Sequence, residues 1–366
     1  MNELGILTEI DTICTVSGGS IVAAQLVKQA TQWPATGTPI GDWEQTVAGP
    51  FRRFTNRNIR TWPIVKRFLP WNWRDGATVV EALATQYERR LIRMTFGELP
   101  ARPRFIFCAT DMTFGVNFVF DTEVTGSRRG RLGDYQAGYV RPIPNCPVAR
   151  AIAASSCFPP IGPLPVNLEP SRFTGGSYRG PDRDALVAAI RLSDGGVYDN
   201  AGLEPVWKDH RVVLVSDGGK VLEDEADRGL LWRLNRYTMI LESQSRRLRK
   251  RWLISGFLNG TLRGTYWGIG SATSHYNPPT PGYSNQIVND IISEVRTDLD
   301  AFSTAEIAVL ENHGYLMADA AIQRHLPDLI TAPAAALTIP HPAWMDEDRV
   351  RQALAQSHKR TALGRF

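Results

Sequence analysis

A β-branched stretch begins at residue 10. It is followed by two glycines and then by an apolar run with helical spacing. Ile10, Ile13 and Val16 form a strand pattern, the residues after it read Ser-Gly-Gly-Ser, and residues 21–27 are almost entirely apolar. This order predicts a strand, a tight turn and a helix, with Ser17 at the corner. In a nucleophile elbow the serine lies on such a strained turn, with its hydroxyl exposed and an amide directed at a developing oxyanion. We expect Gly18 and Gly19 to supply the backbone freedom of the turn.

A second glycine pair follows an aspartate much later in the chain. Residues 193–196 read Ser-Asp-Gly-Gly, which predicts a tight turn with backbone close to the Asp194 carboxylate. Either string alone is more often an ordinary turn or a helix N-cap. Together they indicate a two-residue hydrolase site, in which the carboxylate accepts the serine proton itself.

Three segments occur here in one order: residues 17–20, residues 154–160 (ASSCFPP) and residues 194–200 (DGGVYDN). That order resembles the patatin-like phospholipase family, in its bacterial branch, and the resemblance runs from Asn2 to about Ala320. It implies a serine lipid acyl hydrolase with a Ser–Asp dyad, acting on phospholipids or other lipid esters. Carried onto this sequence, Ser17 is the nucleophile, Asp194 is the base, Gly18 and Gly19 form the elbow, and Gly195 and Gly196 form the base loop. The expected fold is a three-layer α/β/α sandwich with a central, mostly parallel sheet.

Two departures from the family pattern stand near the start of the chain. Thr15 occupies the position of the first glycine in Gly-x-Ser-x-Gly. The family also has a glycine-rich oxyanion loop upstream of the elbow, whereas residues 1–7 here indicate the last turn of a helix ending at Gly5. The sequence therefore predicts an N-terminally truncated hydrolase domain or a start assigned too late. The alternative function is a catalytically inactive patatin-like protein that binds lipid or associates with membranes.

Other catalytic arrangements compete with the dyad. Asp217 repeats the Asp-Gly-Gly string after a strong strand, but only Asp194 is followed by the Val-Tyr-Asp-Asn continuation. All six histidines follow Asp194, which is the order of a Ser-Asp-His triad, and His275 lies in a loop that could reach a site. We favour the dyad with Asp194. No cofactor and no metal are expected, because the sequence has no dinucleotide fingerprint, phosphate loop or matched ligand spacing.

Composition indicates a folded enzyme-sized protein. Of the 366 residues 43% are hydrophobic and 21% charged, which is ordinary for a globular chain. No apolar run approaches the roughly 18 residues of a membrane span. The four cysteines are widely spaced and predict buried free thiols, so the cytoplasm is the expected compartment.

The net charge of +4 is unevenly distributed. Residues 50–74 contain no acidic residue, and their arginines alternate with aromatic residues. Basic residues attract a protein to anionic headgroups, and tryptophan prefers the boundary of the acyl chains. We therefore expect peripheral membrane docking, with these candidates: Arg52, Arg53, Trp62, Trp71 and Trp73.

A second basic run covers residues 246–252 in a segment, 230–253, with helical periodicity. Clustered basic residues also suit nucleic acid, but no nucleic-acid motif accompanies them, so anionic lipid is the expected partner and no nucleic acid is expected. In outline we expect an acyl hydrolase domain over residues 1–326, a helical, basic insertion near 33–75, and a tail of little core character over 327–366.

Overall fold

The computed structural model describes residues 1–67, 77–125, 128–158, 161–220, 226–276, 280–331, 337–361 and 364. The strands of this part of the chain are β1 Thr12–Val16, β2 Arg104–Asp111, β3 Val116–Thr125, β4 Arg128–Asp134, β5 Gly138–Val140, β6 Leu164–Pro165, β7 Thr174–Gly175, β8 Arg191–Asp194, β9 Val212–Asp217 and β10 Arg263–Gly268. Its α-helices are α1 Gly18–Val27, α2 Gly49–Thr55, α3 Thr61–Arg67, α4 Ala77–Arg90, α5 Val148–Ser156, α6 Arg183–Ala188, α7 Gly196–Asp199, α8 Leu230–Leu258, α9 Asn285–Ile287, α10 Thr304–His325 and α11 Glu347–Leu354.

The main sheet has the strand order β6-β8-β2-β3-β4-β5-β7, and β1 also pairs with β2. Only β1 and β2 run parallel; every other described pair in this sheet is antiparallel. Helices and strands together confirm the α/β class expected from the sequence. The prediction of a mostly parallel central sheet is wrong for the described residues. The physical reason lies in the connections, since β2 to β5 follow one another through links too short for the crossover that parallel strands need.

Strand β2 is buried on both faces. Phe105 and Phe107 lie with α1, α4 and α5 in the largest hydrophobic cluster, whereas Ile106 and Cys108 pack on the opposite face with Val16. Side chains alternate across a strand, so a strand that reads as a continuous apolar run is one covered on both sides.

One edge of β2 carries two strands end to end. Strand β1 pairs with residues 104–108 and ends with Val16 opposite Cys108. Strand β8 pairs with residues 109–111 and ends with Asp194 opposite Ala109. The two strands approach each other from opposite directions along the same edge, so the residues that follow β1 and the last residue of β8 meet.

The predicted insertion, which the structure describes over residues 33–67, is helical in residues 43–55 and 61–67. A π-helical turn, Glu44–Ala48, continues into α2, and Val47, Phe54 and Ile59 lie in the main core cluster. This segment packs into the same core as the sheet.

Strands β9 and β10 form a separate, parallel two-stranded sheet. Leu253 of α8 packs against Val213 and Val215 of β9, and α10 contacts β10. Helix α10 begins at a capping box, in which Ser303 and Glu306 each accept a hydrogen bond from the other's backbone amide.

The segment after residue 326 differs from the expected tail. Its helix α11 is capped by Asp346, whose side chain accepts a hydrogen bond from the Arg349 amide. Val350 and Leu354 are buried, in a cluster with Ile287 and Val309. Two apolar side chains four residues apart share one face of a helix, and burying that face anchors this segment.

Candidate active site

Ser17 lies between the end of β1 and the first residue of α1, as the sequence predicts. Its backbone has φ 51° and ψ −119°, a conformation that residues with a Cβ rarely adopt. Such backbone strain costs on the order of 1–3 kcal/mol and is concentrated at functional sites. This backbone conformation places the Ser17 side chain at the corner of the turn, where it is partly exposed.

The Ser17 hydroxyl donates a hydrogen bond to Asp194 Oδ2 at 2.7 Å, across 177 residues of sequence. The other carboxylate oxygen, Oδ1, accepts from the Gly196 amide at 2.7 Å. Thr110 on β2 fixes the backbone as well, since its hydroxyl donates to the Asp194 carbonyl oxygen at 2.7 Å. Both the position and the orientation of the carboxylate are thereby defined.

Asp194 is 2% exposed. Burial raises its pKa to about 6, and the hydrogen bonds from the Gly196 amide and the Ser17 hydroxyl oppose that rise. The negative charge of Glu242 raises the pKa further. A carboxylate with a raised pKa is a stronger proton acceptor than an exposed aspartate, which is the property that a general base near neutral pH needs.

The glycines of the two motifs have different roles from one another. Gly18 and Gly19 were expected to supply the backbone freedom of the turn, but the positive φ falls on Ser17 itself, and both glycines lie in the first turn of α1. A Cβ added at Gly18 would meet nothing within 4 Å. At Gly195 it would lie 2.4 Å from the Cys108 carbonyl oxygen. Gly195 is therefore required by packing against β2, whereas Gly18 leaves the space beside the elbow open.

The amides of Gly18 and Gly19 open α1 on the exposed side of the elbow. The first N–H groups of a helix have no partner inside the helix, and its N-terminus carries partial positive charge. These two amides, next to Ser17, are the groups that could donate to an oxyanion formed at the serine.

Ser155 connects the two motifs. Its carbonyl oxygen accepts hydrogen bonds from the Ser17 amide at 3.1 Å and from the Gly195 amide at 3.2 Å. Ser155 lies in the last turn of α5, where carbonyl groups have no partner inside the helix and are free to accept. Its position in the chain was part of the family resemblance, but nothing in its local sequence distinguished it from its neighbour Ser156.

The side chain of Ser155 adds a second contact to the elbow. Its hydroxyl accepts from the Ser17 amide at 3.0 Å and lies 2.8 Å from the Ser20 hydroxyl. The chain of hydroxyls continues to Thr15, which lies 3.1 Å from Ser20 and donates to the Ile106 carbonyl oxygen at 3.2 Å. Thr15, the residue that departs from the family pattern, thus ties the turn to β2.

Helix α8 covers the loop after Asp194. Arg249 donates to the Tyr198 carbonyl oxygen, and its guanidinium lies over the Tyr198 ring at 5.0 Å. Asp199 is buried and accepts hydrogen bonds from the amides of Ala201 and Glu204, which fix the turn of the base loop. The electrostatic effect of Glu242 on Asp194 comes from the same helix. This contribution of α8 was not predicted.

The rival groups make other contacts. Asp217 accepts from the Tyr266 hydroxyl at 2.8 Å and from the Gly219 amide at 2.8 Å. His210 contacts Thr12, and His313 is buried against the Ile269 carbonyl oxygen. The Ser17 hydroxyl instead donates its hydrogen bond to Asp194.

The membrane-docking candidates differ in their surroundings. Arg52 forms ion pairs with Glu311 at 2.6 Å and Glu44 at 2.5 Å, which engage its guanidinium. Arg53 is exposed, and Trp62 is 60% exposed. Trp71 and Trp73 lie outside the described residues.

The part of the chain that the structure describes contains no group of three His, Cys, Asp or Glu side chains that could hold a metal ion. None of its helices combines the length and the hydropathy of a transmembrane segment.

Comparison with known proteins agrees with the family expected from the motifs. No curated protein matches the chain. The sequence model of the patatin-like phospholipase family matches residues 1–207, which include the elbow, Ser155, Asp194 and the base loop. The chain belongs to the patatin-like phospholipase family.

Proposed function

We propose that this protein is a serine lipid acyl hydrolase, of the phospholipase A or lysophospholipase type, with Ser17 as nucleophile and Asp194 as base. The observation that carries the proposal is the 2.7 Å hydrogen bond from the Ser17 hydroxyl to a buried carboxylate. A nucleophile within hydrogen-bond distance of its base, with the base held by further groups, is the arrangement that nucleophilic catalysis requires.

The first half of the reaction forms an acyl-enzyme. As Ser17 Oγ attacks the ester carbonyl carbon, its proton passes to Asp194 Oδ2. The amides of Gly18 and Gly19 are the proposed donors to the oxyanion of the tetrahedral intermediate. The intermediate collapses with cleavage of the ester C–O bond, and the leaving alcohol takes the proton from Asp194.

The second half releases the fatty acid. Water gives a proton to Asp194 and attacks the acyl carbon, and the Ser17 oxygen recovers the proton when it leaves. Asp194 therefore acts first as a base and then as an acid in each half, which requires a pKa near the working pH. Its burial and the nearby Glu242 act in this direction.

We also propose that the protein works as a peripheral protein at a membrane surface in the cytoplasm. Phospholipid esters reside in bilayers, so the site has to reach one. The four cysteines are free thiols, which suits a reducing compartment.

The experiment is intact-mass detection of fluorophosphonate labelling, together with hydrolysis of a water-soluble short-chain ester. We expect one label on the protein and none on Ser17→Ala, and a loss of ester hydrolysis in both Ser17→Ala and Asp194→Asn. Asp217→Asn is the matched control for the base, because Asp217 begins a second Asp-Gly-Gly string and contacts Tyr266 instead. Labelling that persists in Ser17→Ala, or full activity in Asp194→Asn, contradicts the proposal. Absence of both labelling and turnover would favour the inactive lipid-binding alternative.

A further inference from the structure

Helix α8 exposes a stripe of apolar side chains to solvent, interrupted by Arg233 and Gln244. The residues of the stripe are Leu230, Tyr237, Leu241, Leu248 and Trp252, which are 70%, 60%, 71%, 59% and 42% exposed. They are spaced by seven, four, seven and four residues, so they share one side of the helix. At 1.5 Å per residue the stripe is about 33 Å long. Exposed apolar surface of this extent marks an interaction site.

Positive charge accompanies the stripe. Residues 230–258 contain seven basic residues and one acidic residue, Glu242. Arg247 and Arg251 are exposed beside the stripe, and Arg233 lies on the same side of the helix, where it pairs with Asp227. Glu242 lies about 100° around the helix from Leu241, and its charge acts on Asp194. The outer side of α8 is thus apolar at its centre and cationic at its margin.

We infer that the outer face of α8, defined by Leu241, Leu248, Arg247 and Arg251, binds the surface of an anionic phospholipid bilayer. This inference rests on the proposed lipid acyl hydrolase and names the surface that brings it to its substrate. The apolar side chains enter the boundary between headgroups and acyl chains, and the arginines contact the anionic headgroups, as on amphipathic helices that lie in the membrane interface.

The contacts of the inner face of α8 give this surface a direct relation to the site. Arg249 holds the backbone of the loop after Asp194, and Leu253 anchors the helix in the core against β9. A bilayer bound to the outer face is therefore separated from the base loop by the diameter of the helix, about 10 Å. The docking candidates expected from the sequence lack this connection to the base loop. Arg52 is paired with Glu44 and Glu311, and the residues that surround the exposed Trp62 lie outside α8.

The test is vesicle co-sedimentation with Ser17→Ala protein, which leaves the vesicles intact. Two sets of vesicles are compared, phosphatidylcholine alone and phosphatidylcholine mixed with phosphatidylglycerol. We expect binding to the mixed vesicles that weakens as salt is added. On this background, Leu241→Ser/Leu248→Ser and Arg247→Glu/Arg251→Glu each weaken that binding on the order of 10-fold or more.

The matched control is Arg89→Glu/Arg93→Glu, because both arginines are exposed, both lie outside α8 and the docking candidates, and the change in net charge is the same. We expect this control to bind within about twofold of the parent protein. A loss in the control equal to that in the α8 variants, or unchanged binding by the α8 variants, overturns the inference. Retention on duplex DNA in place of vesicles, or a dimer in solution that Leu241→Ser/Leu248→Ser dissociates, also overturns it.

The hydrolase proposal and this inference are contradicted by different measurements. Vesicle binding is measured on a protein that cannot turn over, whereas ester hydrolysis is measured on a water-soluble substrate that needs no docking surface. Variants of α8 are therefore expected to keep the rate on the soluble ester and to lose the rate on phospholipid vesicles.

Discussion

The backbone amide of Ser17 lies 3.1 Å from the carbonyl oxygen of Ser155, a residue 138 positions later in the chain. That carbonyl also accepts from the Gly195 amide, so one residue at the end of α5 sets the spacing between the elbow and the base loop. The hydroxyl of Ser155 adds a hydrogen bond to the same Ser17 amide. We therefore regard Ser155 as a positioning residue for the candidate dyad.

Replacing Ser155 by alanine removes its hydroxyl and leaves its carbonyl. We expect kcat on a soluble ester to fall about 10-fold or more, because small displacements of a nucleophile are costly. Ser156→Ala is the matched control, since Ser156 is also buried but bonds to Ile152 and Tyr87. Both variants are expected to lose about 1–3 kcal/mol of unfolding free energy. Equal kcat values for the two variants would reduce Ser155 to a purely structural role.

The acid limb of the pH–rate profile is expected near the pKa of Asp194, about 6. Asp194 accepts a proton only when ionised, so kcat/KM rises as pH increases through this value. In Glu242→Gln the negative charge that raises the pKa of Asp194 is gone, and the limb moves to lower pH. Glu169→Gln, at an exposed position, should leave the limb in place. A shift of the limb to higher pH in Glu242→Gln would contradict the assignment of Asp194 as the base.

Backbone strain at Ser17 predicts a difference between two inactive variants. Glycine adopts φ 51° without steric cost, whereas alanine keeps the clash of its Cβ. Ser17→Gly is therefore expected to exceed Ser17→Ala in unfolding free energy by about 1 kcal/mol. Urea denaturation of both proteins measures the difference. Identical stabilities would show that the turn in solution does not hold Ser17 at a positive φ.

The glycines of the two motifs are expected to respond differently to alanine. In Gly195→Ala the new methyl group meets the Cys108 carbonyl oxygen, so β8 or β2 has to shift and both stability and kcat fall. Gly18→Ala meets open space in a helical position, where alanine is favoured by up to about 1 kcal/mol. Its melting temperature is expected to be unchanged or higher. Thermal unfolding with ester hydrolysis separates the two cases, and a destabilised Gly18→Ala would contradict the open space beside the elbow.

The elbow could be predicted from the sequence because its signal is local. A strand, two glycines and a helix within about twenty residues define the corner at Ser17, and the structure agrees to within a few residues. Which residue carries the positive φ could not be predicted, because the strain is imposed by contacts of Ser17 with Ser155 and Asp194. Those contacts cross more than a hundred residues of chain.

The direction of the strands could not be read from the apolar pattern of β2, which fits a buried strand in either kind of sheet. The short links between β2, β3, β4 and β5 were the signal for antiparallel pairing. Likewise the spacing of Val350 and Leu354 after the capping residue Asp346 was a signal for a docked helix in the segment expected to be a tail. No local sequence pattern predicts that α8 contacts the loop after Asp194.

Because β1 and β8 lie end to end on one edge of β2, the position of the proposed catalytic pair depends on the register of both strands. A slip of one residue turns every side chain of a strand to the other face of the sheet. Asp194 would then point away from Ser17, and the hydrogen bond between them would be lost completely rather than weakened. Mispaired molecules in a refolded sample are thus expected to contribute no activity, so active-site titration would report the fraction of chains with native register.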